Sequence, residues 1–155
     1  MRKGQKRIGE ILVGLGLITP EQLKEALVEQ KRSKEFLGLL LIKKNFITEE
    51  GLLKALSEQF GIPIVHIIKN DIDWSLQHLF STTLLLDYKC FPISRDNWSV
   101  TFAITNPLDI WMIKKIEEET GGLRLRLVLV SHHELNAVLQ EYKIRLREHI
   151  NTLLG

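Results

Sequence analysis

The chain has one cysteine, four prolines and an aromatic share of 7% across its 155 residues. With no second cysteine, a disulfide framework, a CxxC redox pair and a cysteine-based zinc site are all excluded. Cys90 lies in the apolar stretch Tyr88-Lys89-Cys90-Phe91-Pro92, which suits a small buried hydrophobe in a reducing, cytosolic setting. Charge of one sign is also scarce. Twenty-one Lys and Arg face nineteen Asp and Glu, a net +2, so composition makes no electrostatic case for nucleic acid or membrane. Only the start, MRKGQKR, is locally basic, and it reads as a solvated tail. Long apolar runs are missing. Phe36–Ile42 falls far short of the ~20 residues that span a bilayer. Glu10 interrupts the run behind the basic start and no small-residue cleavage site follows, so no signal peptide is expected.

The motifs of catalysis are absent too. There is no GxxxxGK[ST], no GxGxxG behind a strand, no HExxH and no GxSxG, so no catalytic residue and no enzyme activity is expected of these residues. His132-His133 are neighbours that point apart at a helix start, and His66, His78 and His149 read as packing or surface residues, so no metal site is expected. Trp74, Trp98 and Trp111 fall on three elements and form no stacking ladder for single strands.

What the chain does have is a repeat. Residues 7–30 (RIGEILVGLGLITPEQLKEALVEQ) and 36–59 (FLGLLLIKKNFITEEGLLKALSEQ) align without a gap, and ten of twenty-four positions are identical. The matches include Gly9/Gly38 and Gln30/Gln59 besides Leu12/Leu41, Leu23/Leu52 and Leu27/Leu56, so shared helical periodicity does not explain them. Each copy predicts two helices. Ile8, Ile11, Leu12 and Leu15 form the first stripe, closed by Gly14 and Gly16; Leu37, Leu40 and Leu41 form its counterpart, closed at Asn45. Thr19-Pro20-Glu21-Gln22 is a capping box with proline at the first helical position, and Thr48-Glu49-Glu50 opens the fourth helix with acids at its positive end. Gly61 and Pro63 stop that helix, which places a boundary at 61–62.

Beyond it the pattern predicts a small α+β domain over 62–155, in the order β-α-α-β-β-α-β-α with a mixed or antiparallel sheet. PIVHII (63–68) reads as a strand, and 73–89 as two short helices around Ser81; Asp71 and Asp73, ahead of Trp74, read as an N-cap for the helix that follows before they read as paired carboxylates. Residues 90–93 and 100–104 read as a hairpin about Ser94-Arg95-Asp96-Asn97. A helix begins at Asn106-Pro107-Leu108-Asp109, a strand covers LRLRLVLV (123–130), and a long helix starts from a capping box at Ser131-His132-His133-Glu134. The fold class expected is therefore α+β: a four-helix tandem-repeat subdomain over 1–61, then the sheet-bearing domain.

The repeat spacing carries a resemblance. Arg7-Ile8-Gly9, Leu12, Leu23, Leu27 and Gln30 recur after five residues as Phe36-Leu37-Gly38, Leu41, Leu52, Leu56 and Gln59. This resembles the tandem RLGxxLx(10)LxxxLxxQ motif of the MshEN-type domain at the amino terminus of type II secretion and type IV pilus assembly ATPases, the GspE/PilB class. The second half is similar to the α+β region that follows in secretion E-proteins, which carries a polar-Pro-Leu-Asp segment, here 106–109, before a helix.

The resemblance implies a regulatory and docking module that recruits a cytoplasmic motor to the inner-membrane platform through the cytoplasmic domain of an L-type protein. It implies cyclic di-GMP as ligand, with ATP and Mg confined to a motor downstream of residue 155. It also implies a bacterial cytoplasmic location, peripheral at the inner membrane through a partner, with no nucleic acid bound and no direct membrane insertion. The fourteen motif residues would then form the site. Leucines would wall purine faces, Gly9 and Gly38 would let ligand or backbone approach closely, Arg7 would meet a phosphate or guanine edge, and Gln30 and Gln59 would meet base edges. On the residues alone, leucines at helical spacing are usually core and Gly9 and Gly38 also suit close helix packing; only the joint spacing, repeated, lifts the ligand reading. Phe36 stands where the pattern has Arg, and Ile8 where it has Leu. Losing one such Arg costs roughly 1.5–3 kcal/mol if it met the ligand. That leaves a docking module without nucleotide binding, or the equivalent pilus-branch domain, as the alternatives.

Overall fold

The computed structural model describes residues 3–67 and 71–155, with side chains from Ile8 onward. The chain divides into two compact units, Met1–Gly61 and Ile62–Gly155.

The first unit holds α1 (Lys3–Gly14), α2 (Pro20–Ser33), α3 (Leu37–Lys43) and α4 (Glu49–Phe60). Duplicated sequence has become duplicated backbone. Thr19 Oγ1 accepts from the Gln22 N–H at 3.1 Å while Gln22 Oε1 accepts from the Thr19 N–H at 2.9 Å, a cap worth about 1 kcal/mol. Thr48 repeats half of it by accepting from Gly51 N–H at 3.0 Å; Gly51 has no side chain to return the bond. Both first helices end in the same pair of bonds. Leu17 N–H reaches Leu12 O (3.0 Å) and Gly16 N–H reaches Val13 O (2.9 Å); Phe46 reaches Leu41 O and Asn45 reaches Ile42 O, each at 2.9 Å. This closure needs a left-handed residue, supplied by Gly16 at φ 73° and by Asn45 at φ 59°. Leu15, expected on the α1 stripe, sits in this turn instead and is 50% exposed, because α1 stops at Gly14.

The second unit runs as a 3-10 helix (Trp74–Leu79), α5 (Thr82–Asp87), β1 (Phe91–Arg95), β2 (Ser99–Ile104), α6 (Ile110–Glu119), β3 (Arg124–Leu129) and α7 (His132–Leu154). The sheet order is β1-β2-β3. β1 and β2 are antiparallel with an irregularity between Pro92 and Ser94; β2 and β3 are parallel, Ser99 opposite Arg124 through Ile104 opposite Leu129. A parallel pair needs a crossover, and α6 provides it. The sheet is thus mixed, within an α+β fold. Asp96 closes the β1–β2 turn by accepting from the N–H groups of Trp98 and Ser99, both at 2.7 Å, and those bonds hold its carboxyl below the usual range. Phe91, Phe102, Ile104, Ile116, Leu129 and Tyr142 are buried at the centre. Edge-on aromatic pairs lock them, Phe80–Phe102 at 4.8 Å and Phe91–Tyr142 at 5.5 Å.

Two local expectations in this unit need correction. Residues 63–67 form no strand; Ile68 lies outside the described residues. Ile64 makes one isolated parallel bridge to Leu129, through Val65 N–H to Leu129 O (2.9 Å) and Leu129 N–H to Pro63 O (2.8 Å). Pro63 has no N–H to extend the ladder. Past Val65 the chain turns to Glu134, whose Oε2 accepts from Ile67 N–H at 2.8 Å and whose Oε1 lies 2.9 Å from His66 Nδ1. That same commitment undoes the expected capping box. Ser131 Oγ accepts from Glu134 N–H at 3.0 Å, but the Glu134 carboxylate serves the incoming segment. The first of the two short helices before β1 is 3-10, capped by Asp73, and Ser81 caps α5 as expected of a residue between them.

Burial pushes the Cys90 thiol from an ordinary 9.0 up to about 12, helped by the negative charges of Glu119 and Asp109. Below pH about 9 it is protonated folded or unfolded. Above that, only the unfolded thiol ionises, so stability falls as pH rises toward the folded value, at about 1 kcal/mol per pH unit. Cys90→Ala should remove this component. Urea melts of both proteins from pH about 8 to about 11 should diverge in slope, and parallel slopes would refute the assignment.

Candidate functional site

The repeated motif assembles around two glycines. A Cβ at Gly9 would fall inside the Leu23 side chain, 2.9 Å from Cδ2, and one at Gly38 would fall 2.8 Å from Leu52 Cδ2. Each first helix thus receives, at its glycine, the first leucine of its own second helix. The seats are equivalent in both repeats, fourteen residues apart in each. Around them the apolar motif residues are core. Ile8, Leu12, Leu37 and Leu41 are fully buried, and Leu52 and Leu56 nearly so. Leu23 and Leu27 are half-buried on the rim. The structure therefore gives Gly9 and Gly38 to helix packing in both copies.

The polar motif positions do not match between copies. Gln30 is buried and its Nε2 donates to Glu35 O at 2.9 Å, while its own carbonyl accepts from Lys34 N–H at 2.8 Å. It grips the inter-repeat linker from both sides. Gln59 is exposed near the end of α4, just before the left-handed Gly61 cap. Phe36 occupies the N-cap of α3, half-buried, with its ring edge 2.8 Å from where a Gly38 Cβ would be. It shares the Gly38 seat with Leu52. The Arg7 backbone lies in α1; its side chain is outside the described atoms.

A feature that the motif did not announce lies beside this set. An open groove of about 440 Å³ is lined by Glu25, Val28, Glu29, Arg32, Ser33 and Lys44. Lys44 Nζ bonds Glu29 Oε2 at 2.7 Å and Glu25 Oε1 at 3.2 Å, and these carboxylates, Glu29 first, raise its pKa. The pair ties the end of α3 to the middle of α2. Its signal in the sequence was the i, i+4 spacing of Glu25 and Glu29, which puts both on one face. Lys44 aligns with Leu15, so the internal alignment pointed away from it. Among the described residues no group of three or more His, Cys, Asp or Glu is placed to hold a metal, and no helix is long and apolar enough to cross a membrane.

A doubled helical hairpin with a glycine seat in each repeat, and a small mixed-sheet α+β unit, make up the chain. The MshEN domain model matches residues 60–149, more than half of the chain, and the chain belongs to that family. It represents the amino-terminal region of the type II secretion and type IV pilus ATPases. Two curated relatives are the type IV pilus assembly ATPases PilB of Thermus thermophilus, 28% identical over 76% of this chain, and of Myxococcus xanthus, 26% identical over 88%. The chain spans 14% and 24% of their lengths, so it corresponds to a domain of them and not to the motor. Among solved structures, one of MshE with cdg matches at TM-score 0.74 and 23% identity, covering 87% of this chain and 97% of that one. The N-terminal domain of XpsE matches at TM-score 0.67 and 20% identity, covering 90% and 96%. The sequence resemblance attached the family name to 1–61; the family model's match falls on the second unit.

The seats give a paired prediction. Gly9→Ala and Gly38→Ala should each destabilise the first unit by about 1–3 kcal/mol through overpacking. Gly14→Ala, where a Cβ meets nothing within 4 Å, should be neutral or stabilise by up to about 1 kcal/mol through helix propensity. Chemical denaturation of the three variants reads this directly, and equal effects at all three positions would sink the seat argument.

Proposed function

We propose that the chain is a regulatory and docking module of a type II secretion or type IV pilus ATPase, with the helical unit (1–61) as its sensing and docking part and the α+β unit (62–155) as its family-defining part. We further propose that the tandem motif binds cyclic di-GMP, the natural reading of the cdg in the MshE structure. The observation that carries this is the pair of equivalent glycine–leucine seats. A ligand with two-fold symmetry has two like halves, and the glycine–leucine seat that recurs in each repeat suits it. The rim residues Leu23, Leu27 and Gln59 offer apolar and polar contact, and Arg7 supplies a charge-assisted bond to a phosphate or a guanine edge. The buried Ile8, Leu12, Leu37, Leu41, Leu52 and Leu56 act beneath, by fixing where the rim stands.

Calorimetric titration of the whole chain with cyclic di-GMP tests this. Binding is expected, with Arg7→Ala weakening it at least about ten-fold, the low end of a lost charged hydrogen bond. Phe36→Arg is expected to tighten it. No heat at high micromolar ligand from a folded sample would remove the sensing reading.

A second reading, docking without nucleotide, is favoured by Phe36 itself. Its ring fills the Gly38 seat, so one of the two cationic positions of the motif has gone to packing. The partner in this reading is the cytoplasmic domain of an L-type inner-membrane protein, which would hold the module at the membrane from the cytoplasmic side. Charge reversal at exposed Lys24 and Lys54, on α2 and α4, should weaken capture by that domain several-fold. Undiminished capture would clear those helices of a docking role.

A further inference from the structure

We propose that His78 and His149 form a binding site for one divalent transition-metal ion of the zinc, nickel or copper class. The two rings belong to different elements, the 3-10 helix and α7, and both are exposed. Their centroids lie 6.0 Å apart at an interplanar angle of 55°. An ion bound at ~2.0–2.1 Å to one nitrogen of each ring brings imidazole centroids to roughly 5–6 Å, so the pair stands at the open end of ligating geometry.

The pairing is held in place from below. One helical turn before His149, the Arg145 guanidinium stacks over the Trp74 ring at 4.3 Å, and Trp74 lies four residues before His78. Trp74 in turn packs edge-on against buried Phe91 at 5.4 Å, and Tyr142 packs against the same ring. The 3-10 helix and α7 thus meet at Arg145 on Trp74 and at His149 beside His78, and both lean on Phe91 of β1, which Trp74 and Tyr142 each contact edge-on. These contacts hold the two histidines near each other before any ion binds, which lowers the ordering cost of binding.

Neutral imidazole suits zinc, nickel and copper and is a poor ligand for magnesium or calcium. No third His, Cys, Asp or Glu completes a set among the described residues, so water takes the remaining positions. Glu148 beside His149 adds negative charge, and Arg145 is occupied by Trp74 and by Glu141, whose Oε1 accepts from its Nε at 3.2 Å. The consequence is mechanical. From Lys143 on, α7 is mostly exposed, and an ion at His149 clips that half of the helix to the 3-10 helix. An ion that binds only the folded unit must stabilise it.

The test is thermal unfolding of the whole chain at slightly alkaline pH with added Zn²⁺, together with NMR of the histidine rings. Expected results are a midpoint rise of several degrees that saturates at one ion per chain, with ring signals of His78 and His149 shifting while His66 and His133 hold still. His78→Gln and His149→Gln should each abolish the rise without changing the metal-free midpoint, since both side chains are exposed; His133→Gln should keep it. Mg²⁺ should do nothing. No rise with Zn²⁺, a rise that survives either substitution, or an equal rise with Mg²⁺ would each overturn the proposal.

Discussion

The first unit depends on one steric constraint: a leucine must enter the space where a Cβ would be. Leu23 does this at Gly9 and Leu52 at Gly38. Short helices of seven to fourteen residues have little stability of their own. They persist because the second helix of each repeat comes close enough to bury Ile8 and Leu12, or Leu37 and Leu41, completely. Had either glycine a side chain, that approach would widen and every leucine beneath would lose contact. The caps and left-handed turns at Thr19, Gly16, Thr48 and Asn45 then fix the angle at which each leucine arrives.

Symmetry holds where packing requires it and lapses where it does not. The first-helix pairs Ile8/Leu37 and Leu12/Leu41 are matched in burial, whereas Leu23 and Leu27 are half-buried where Leu52 and Leu56 are core. The polar positions part ways: Gln30 is spent on the linker through Glu35 O, whereas Gln59 has no linker to hold, since the chain turns at Gly61 instead. Lys44 reaches back to Glu25 and Glu29 of the first repeat, whereas its counterpart Leu15 is apolar and half-exposed in the turn after α1.

Legibility in the sequence followed the range of the forces involved. Helix limits in the repeat were readable because caps act within three or four residues; Thr19, Pro20, Asn45 and Gly61 stand where they were expected. The mixed sheet was legible as α+β because Val100–Ile104 and the Leu-Arg alternation at 124–129 carry strand patterns. The segment 63–67 misled because its β-branched run reports burial and not pairing. Whether it joins a ladder depends on Pro63 and on Glu134, nearly seventy residues away. The motif glycines were read both as ligand contacts and as packing seats, and only coordinates show which leucine fills each. The Glu25–Glu29–Lys44 groove and the His78–His149 pair were hidden for the same reason: both join residues on separate elements.

Family membership and ligand chemistry rest on different parts of this chain. The family model matches 60–149, where Asp96, the parallel β2–β3 pair and the Phe91–Tyr142 core shape the α+β unit. The tandem motif proposed to hold cyclic di-GMP lies in 7–59, wholly outside that match. At position 36 the phenyl edge lies at the Gly38 seat beside Leu52, so the residue that departs from the motif serves the packing of its own repeat. Within the motif the two leucine seats set the helix packing, and two positions read as ligand contacts are given to the repeat's own structure: Gln30 holds the linker through Glu35 O, and Phe36 lies at the Gly38 seat.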